Sequence, residues 1–258
     1  MVDFRLVIAD KMETTVTSFQ SSKKPVPSIL VSYAYYECFA EIRNRMVFRD
    51  WMLDSGAYTA FTTGKEVDLF EYIEFCRKLK ATDKTLSHIL ALDVIGDWKQ
   101  SLNNYDTMRK AGIDIIPIYH LGAPSHVLKT LIAEYDYVAI SGYTILRGLN
   151  SKRRYTDGVF NIAWPKKLHA LGLGTEQIIK EYPWASADAS SWALRPRKFG
   201  TLHFLGSQNV GQRNIAKHDL RAEVDHFLKI ERWCNEKWQK ELLEIGMIPY
   251  LETEGHNP

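Results

Sequence analysis

A chain of 258 residues with 45% hydrophobic and 25% charged residues has the composition of an ordinary globular protein, long enough for one large or two small domains. Its net charge of +2 is too small to indicate a polyanionic partner by itself. No apolar run approaches the roughly 20 residues that cross a bilayer, and the first residues lack a signal-peptide pattern, so we expect a cytoplasmic protein with no membrane partner.

The three cysteines, Cys38, Cys76 and Cys234, are widely spaced and form no CxC or CxxC pair. This spacing argues against a disulfide framework and against a structural zinc site. We therefore expect reduced thiols in the core, with no metal and no other cofactor.

Short apolar runs recur along the chain, each typical of a strand that is buried on both faces. In chain order the clearest predicted strands are Ser28–Ser32, Trp51–Leu53, His88–Leu92, Asp114–Tyr119 and Tyr137–Ser141. Weaker runs follow at Leu168–Gly172, Trp184–Ala187 and Thr201–Leu205. The sequence thus predicts eight strands, the number in a closed (β/α)8 barrel.

Helical periodicity fills the segments between these runs. Asp68, Asp97 and Ser125 each precede a segment with apolar residues on one face, and about 219–245 reads as a long C-terminal helix. Alternating strands and helices without a Gly-rich dinucleotide turn favour a TIM barrel over an open doubly wound sheet. No linker or repeat interrupts residues 1–258, so we expect a single domain.

In a barrel the chemistry collects at the carboxyl ends of the strands, so the residues that follow each run form the candidate site. Three carboxylates, Asp54, Asp93 and Asp188, take such positions. Other polar, aromatic or small residues at predicted strand ends are Ser55, Tyr119, His120, Ser141, Gly142, Tyr143, Ser190 and Ser191. Each has an ordinary explanation as a cap, a turn residue or a core side chain, so only their coincidence at one mouth indicates a site.

These strand ends resemble motifs of the tRNA-guanine transglycosylases and of their compact DNA-acting relatives, the DpdA-type 7-deazaguanine transglycosylases of phages and genomic islands. Asp54-Ser-Gly-Ala-Tyr58 is similar to the family's DSGG-aromatic motif, with Ala57 in place of the second glycine. The similar motifs span about Trp51 to Trp192, in the family's order.

The resemblance implies a role for each matching residue. Asp54 would act as acid and base, Asp93 would read the Watson–Crick edge of guanine, and Asp188 would be the nucleophile. The other residues implied to bind the base are Ser55, Tyr58, His120, Gly142 and Tyr143. His120 departs from the pattern, because the family usually has a glutamine-glycine pair at that strand end.

The resemblance also implies the substrates. Guanine in DNA would be exchanged for a 7-deazaguanine such as preQ0 through a covalent glycosyl-aspartate, which makes the protein a pentosyltransferase. Members that act on tRNA carry a Cys-rich zinc subdomain that this sequence lacks, so DNA is the expected acceptor and tRNA is the alternative. The sequence leaves open whether a partner protein replaces that subdomain and whether the chain forms a homodimer.

Two basic groups follow predicted strands on the same side as the carboxylates, which makes them candidate phosphate contacts. The first comprises Arg147, Lys152, Arg153 and Arg154, and the second comprises Arg195, Arg197 and Lys198. Solvated loop charges are the alternative interpretation of both groups.

Two other classes of function stay open. A metal-dependent barrel hydrolase would use Asp54, Asp93 and His120, with His169 or His203, although the sequence has no HxH or HxxxH pair. A non-catalytic protein that binds a nucleobase or a nucleic acid is the other alternative.

Overall fold

A computed structural model of the chain describes residues 5–9, 27–211 and 221–245. Its strands are β1 (Arg5–Ala9), β2 (Ser28–Ser32), β3 (Trp51–Asp54), β4 (Leu86–Ile89), β5 (Ile118–Tyr119), β6 (Tyr137–Ile140), β7 (Lys167–Ala170) and β8 (Ser186–Ala189). These eight strands form one parallel sheet in the order β4-β3-β2-β1-β8-β7-β6-β5.

The two ends of this sheet meet next to β4 and β5. Leu90 forms a parallel bridge with Ile116. The Ile116 amide donates to the Ile89 carbonyl at 2.8 Å, and the Ala91 amide donates to the Ile116 carbonyl at 2.9 Å. The sheet is therefore a closed ring, and the prediction of a parallel α/β barrel is confirmed.

Helices connect the strands along the chain. They are α1 (Tyr36–Ile42), α2 (Ala57–Thr63), α3 (Leu69–Thr82), α4 (Trp98–Lys110), α5 (Ser125–Glu134), α6 (Leu149–Ala163), α7 (Glu176–Glu181), α8 (Ser191–Phe199) and α9 (Arg221–Glu244). The Asp68 carboxylate accepts from the first amides of α3, and Asp97 does the same for α4, so both predicted caps are confirmed. Helix α9 confirms the predicted C-terminal helix, whose expected start at 219 lies outside the described residues.

One of the eight predicted barrel strands is wrong. Thr201–Leu205 contains only the short strand β9 (Thr201–Leu202), which pairs antiparallel with β10 (Gln208–Asn209) outside the barrel. The strand that completes the barrel is β1, which pairs with both β2 and β8. Its five residues carry no periodicity that separates a strand from a buried helical segment, so only pairing with two neighbours defines it.

The cysteine prediction holds for two of the three thiols. Cys76 and Cys234 are buried, whereas Cys38 is exposed. Helix α1 turns the neighbouring Phe39 into the core instead. The expectation of a core thiol is therefore wrong for Cys38.

Candidate active site

Asp54 stands at the end of β3, where the chain turns sharply into α2. Its Oδ2 accepts a hydrogen bond of 3.0 Å from the Gly56 amide. Gly56 has a φ of +79°, and a Cβ at this position would lie 3.1 Å from Ser32 Oγ. Glycine is therefore needed because of this turn and the neighbouring chain, rather than to admit a ligand.

Three carboxylates share the mouth of the barrel. The pKa of Asp54 is raised to about 7, chiefly by burial and in addition by the nearby charges of Asp93 and Asp188, against the lowering effect of the Gly56 amide. Burial also raises the pKa of Asp93 to about 6. Asp54 therefore lies close enough to Asp93 and Asp188 for their charges to act on it.

Asp93 is the centre of a polar cluster that four of the predicted residues form. Ser55 Oγ donates to Asp93 Oδ1 at 3.3 Å, and His120 Nε2 lies 3.4 Å from Asp93 Oδ2. The other ring nitrogen, His120 Nδ1, lies 3.3 Å from Ser141 Oγ. Because burial lowers the pKa of His120, the ring is neutral at neutral pH.

Asp188, on β8, has two different carboxylate oxygens. Oδ1 accepts a hydrogen bond of 2.8 Å from the Gly172 amide and lies 3.3 Å from His169 Nε2. No described residue donates a hydrogen bond to Oδ2. The side chain is held by one oxygen, and the other is available to a ligand.

The contacts of Gly172 and His169 with the Asp188 carboxylate were not predicted. The sequence indicated His169 only as a possible metal ligand. It is the third residue of β7 and pairs in register with Ser186, two residues before Asp188. Side chains alternate along a strand, so Ser186 and Asp188 lie on the same face of β8. This alternation is the sequence signal that could have predicted His169 as a neighbour of both residues.

The two tyrosines predicted to stack on a base differ. Tyr58, on α2, is 69% exposed, so its ring is open to a ligand. Tyr143 is 1% exposed, its hydroxyl pairs with Thr156 Oγ1 at 2.9 Å, and its ring packs edge-on against Trp184. The base-stacking prediction for Tyr143 is wrong, because the side chain belongs to the core.

Gly142 is constrained by the chain around it. Its φ is +111°, and a Cβ here would lie 2.5 Å from the Cβ of Leu121. Its carbonyl accepts from the amides of Ile145 and Leu146. Only its amide, which donates to no described backbone carbonyl, is left to serve the predicted backbone contact with a base.

The residues within each of the two basic groups have different contacts. Arg153 forms an ion pair with Glu181. Lys152 Nζ donates to Thr175 Oγ1 at 2.6 Å, and its pKa is lowered by burial and by the nearby charge of Arg195. Lys152 and Arg195 therefore converge from the two groups, and neither has an acidic ion-pair partner among the described residues.

Arg147, Arg154 and Lys198 are exposed. The side chain of Arg197 lies outside the described part of the chain.

The described segments contain neither a group of metal ligands nor a membrane-spanning helix. Across residues 5–9, 27–211 and 221–245, no three or more His, Cys, Asp or Glu residues are grouped as they would be around a metal ion. The same segments contain no helix that combines the length and the apolar character needed to span a bilayer.

Comparisons with known proteins give structural similarity alone. No family model matches the sequence, and no curated protein matches it. A mutant tryptophan synthase alpha subunit from Pyrococcus furiosus has a TM-score of 0.48 and 12% identity, covering 88% of this chain and 98% of that one. The Campylobacter jejuni alpha subunit has a TM-score of 0.44 and 10% identity, covering 86% and 95%. The fold assignment rests on strand pairing within this chain rather than on these similarities.

The raised pKa of Asp54 predicts a pH-dependent penalty on stability. Because the pKa is about 7 in the fold and roughly 3.9 in an unfolded chain, the folded state is favoured most below the lower value and loses stability as pH rises toward 7. Asn cannot ionise, so the free energy of unfolding of Asp54→Asn relative to wild type should rise by about 1–3 kcal/mol from pH 5 to pH 8. Urea unfolding at both pH values measures this difference.

Asp97→Asn is the matched control, because Asp97 is an exposed helix cap and Asn caps helices equally well. Its stability relative to wild type should stay constant between the two pH values. A constant difference for Asp54→Asn as well would contradict the raised pKa.

Proposed function

We propose that the protein is a guanine transglycosylase that replaces guanine in DNA with a 7-deazaguanine base. The observation that carries this proposal is Asp188, with Oδ1 held by a backbone amide and Oδ2 unpartnered, in a mouth shared with a carboxyl whose pKa is about 7. A nucleophile and a group that exchanges protons at neutral pH are what base exchange requires. The resemblance of the strand-end motifs supplies the identity of the base.

In the first half-reaction Asp188 Oδ2 attacks C1′ of the nucleotide and forms a glycosyl ester. The bond between C1′ and N9 of guanine breaks, and its electron pair leaves on N9. Asp54, protonated in part at neutral pH because its pKa is about 7, donates its proton to the departing base. The sugar is thereby kept from water while the bases exchange.

In the second half-reaction the 7-deazaguanine enters the space that guanine has left. Its N9 proton passes to the Asp54 carboxylate, N9 attacks C1′, and the ester bond to Asp188 breaks. Asp54 and Asp188 return to their starting protonation states. No redox cofactor takes part in this sequence of steps.

The cluster around Asp93 would bind the base in both half-reactions. Above its pKa of about 6 the Asp93 carboxylate accepts hydrogen bonds, which suits the N1 and N2 hydrogens of guanine and of its 7-deaza analogue. Ser55 and His120 orient that carboxylate. The exposed ring of Tyr58 offers a stacking surface at the edge of the mouth.

We propose DNA as the acceptor, with tRNA as the alternative. A base inside a stacked duplex is out of reach of a barrel mouth, so the target is single-stranded or flipped out. Lys152 and Arg195, two cations without carboxylate partners in the described segments, would contact its phosphates. We also propose that the protein lacks the zinc subdomain of the tRNA-acting members. A partner protein or a second copy of the chain would take the place of that subdomain.

Exchange is tested by incubating the protein with guanine-labelled DNA or tRNA and a 7-deazaguanine base, and measuring released guanine. Asp188→Asn should abolish release from either polymer, because a neutral amide keeps the shape and lacks the nucleophile. Asp136→Asn is the control, since Asp136 is an exposed aspartate that precedes β6 at the opposite end of the barrel. Turnover by Asp188→Asn at the wild-type rate would eliminate the assignment.

Phosphate binding is tested with the double variant Lys152→Ala/Arg195→Ala. Each lost phosphate contact should reduce the slope of log affinity against log salt by about 0.7–0.9, with equal effects on different sequences. Binding of the free base should be unchanged. The measurement is affinity for a single-stranded oligonucleotide across a salt series.

The charge-matched control is Arg109→Ala/Lys110→Ala, which removes two exposed cations that pair with Asp106 at the end of α4. It should keep the wild-type salt slope. If Lys152→Ala/Arg195→Ala also keeps the wild-type salt slope, Lys152 and Arg195 are solvated surface charges.

A further inference from the structure

A polar layer crosses the interior of the barrel below the mouth. Tyr137 on β6 and Ser186 on β8 have their hydroxyl oxygens 2.5 Å apart, and the ring of His88 on β4 lies edge-on to Tyr137 with centroids 5.3 Å apart. These strands are not neighbours in the sheet, so the contacts run through the interior. Barrel interiors are usually filled with branched aliphatic side chains, and burying polar groups is costly.

His169 connects this layer to Asp188. The imidazole is completely buried, and its Nδ1 makes a short hydrogen bond with Ser186 Oγ. Its Nε2 lies 3.3 Å from Asp188 Oδ1 and has no aligned hydrogen-bond partner in the described segments. Asp188 Oδ1 is thus an acceptor within reach of Nε2, and buried polar atoms are rarely left without a partner.

The hydrogens of these groups can be assigned by counting donors and acceptors. If Nδ1 carries no hydrogen, Tyr137 donates to Ser186, Ser186 donates to Nδ1, and the Nε2 hydrogen points at Asp188. If the hydrogen is on Nδ1 instead, the lone pair of Nε2 faces the lone pairs of a carboxylate, which is repulsive. Of the two neutral tautomers, the first gives each of these hydrogens an acceptor.

We propose that His169 is a positioning residue, which Ser186 and Tyr137 hold as the neutral Nε2–H tautomer that donates to Asp188 Oδ1. Together with the Gly172 amide it fixes one oxygen of the carboxylate and turns Oδ2 toward the substrate. Its effect on catalysis rests on the proposed function. Its tautomer does not, since it follows from contacts within the barrel.

The charged and titratable groups around His169 come from four strands. Asp188 lies on β8, Tyr137 on β6, His88 on β4 and Arg5 on β1. The pKa of His88 is lowered to about 4, chiefly by burial and in addition by the charge of Arg5, so His88 is neutral near pH 7. The negative neighbour of His169 is therefore Asp188, the group it orients.

The tautomer is tested without any substrate. Nitrogen-15 NMR of the full chain at pH 7, with the His169 signals assigned by their loss in His169→Gln, should give the shifts of a protonated Nε2 and a bare Nδ1. A protonated Nδ1 with a bare Nε2, or protons on both nitrogens, would overturn the proposal. This result stands even if the protein does not exchange guanine.

The positioning role is tested with Ser186→Ala, which removes the hydroxyl that selects the tautomer. At pH 8 its kcat for exchange should fall about tenfold or more, with little change in KM for the base, as when other tautomer-fixing partners are lost.

Ser87→Ala is the matched control. Ser87 lies next to His88 on β4 and donates a hydrogen bond to the Trp51 carbonyl, outside this layer. Its kcat should follow wild type. An unchanged kcat for Ser186→Ala, or a loss of kcat accompanied by an equal loss of affinity for the base, would reduce the role of Ser186 and His169 to packing. Absence of exchange by wild type would count against the proposed function and leave the NMR result to decide the tautomer.

Discussion

Closure of the parallel sheet is the constraint on which the candidate site depends. Parallel strands all end on the same side, and the hydrogen bonds that join Ile116 to Ile89 and Ala91 turn that side into a single mouth. Asp54 from β3 and Asp188 from β8, far apart along the chain, meet there with Asp93, which follows β4. Three carboxylates in one partly dehydrated space repel one another, so they cannot all ionise at the pKa of a free side chain.

The environment of each carboxyl group then separates their roles. Asp188 has a backbone amide and a histidine nitrogen at one oxygen, which fixes the orientation of its carboxylate. Asp54 has an amide donor against burial and two negative neighbours, and its pKa is raised to about 7. A carboxyl group with a pKa near neutrality beside a second, oriented carboxylate suits the acid–base and nucleophile roles that we propose for them.

The cations nearby fall into two classes for a similar reason. Arg153 is matched by Glu181, so its charge is already balanced within the fold. Lys152 and Arg195 lie close enough for the charge of Arg195 to lower the pKa of Lys152. Two neighbouring cations repel unless an anion joins them, which is why a phosphate group fits this place in the proposed complex.

The sequence predicted most of what strand ends determine and little of what packing determines. Runs such as Trp51–Leu53 located the carboxylates, because a buried strand that ends in a polar residue leaves a local pattern. The exclusion of Tyr143 from the mouth and the contact of His169 with Asp188 depend on neighbours in other strands, which one sequence does not display. Strand β1 was not predicted for the same reason, since its pairing with β2 and β8 defines it.

In the proposed mechanism Asp188 Oδ2 becomes bonded to C1′ of a nucleotide. Intact-protein mass spectrometry after mixing with a guanine-containing oligonucleotide and quenching in acid detects this bond. The expected product is a protein whose mass has increased by that of the oligonucleotide minus guanine, with the modification mapped to the peptide that contains Asp188. An unmodified protein under conditions in which guanine is released, or an adduct on another residue, would contradict it.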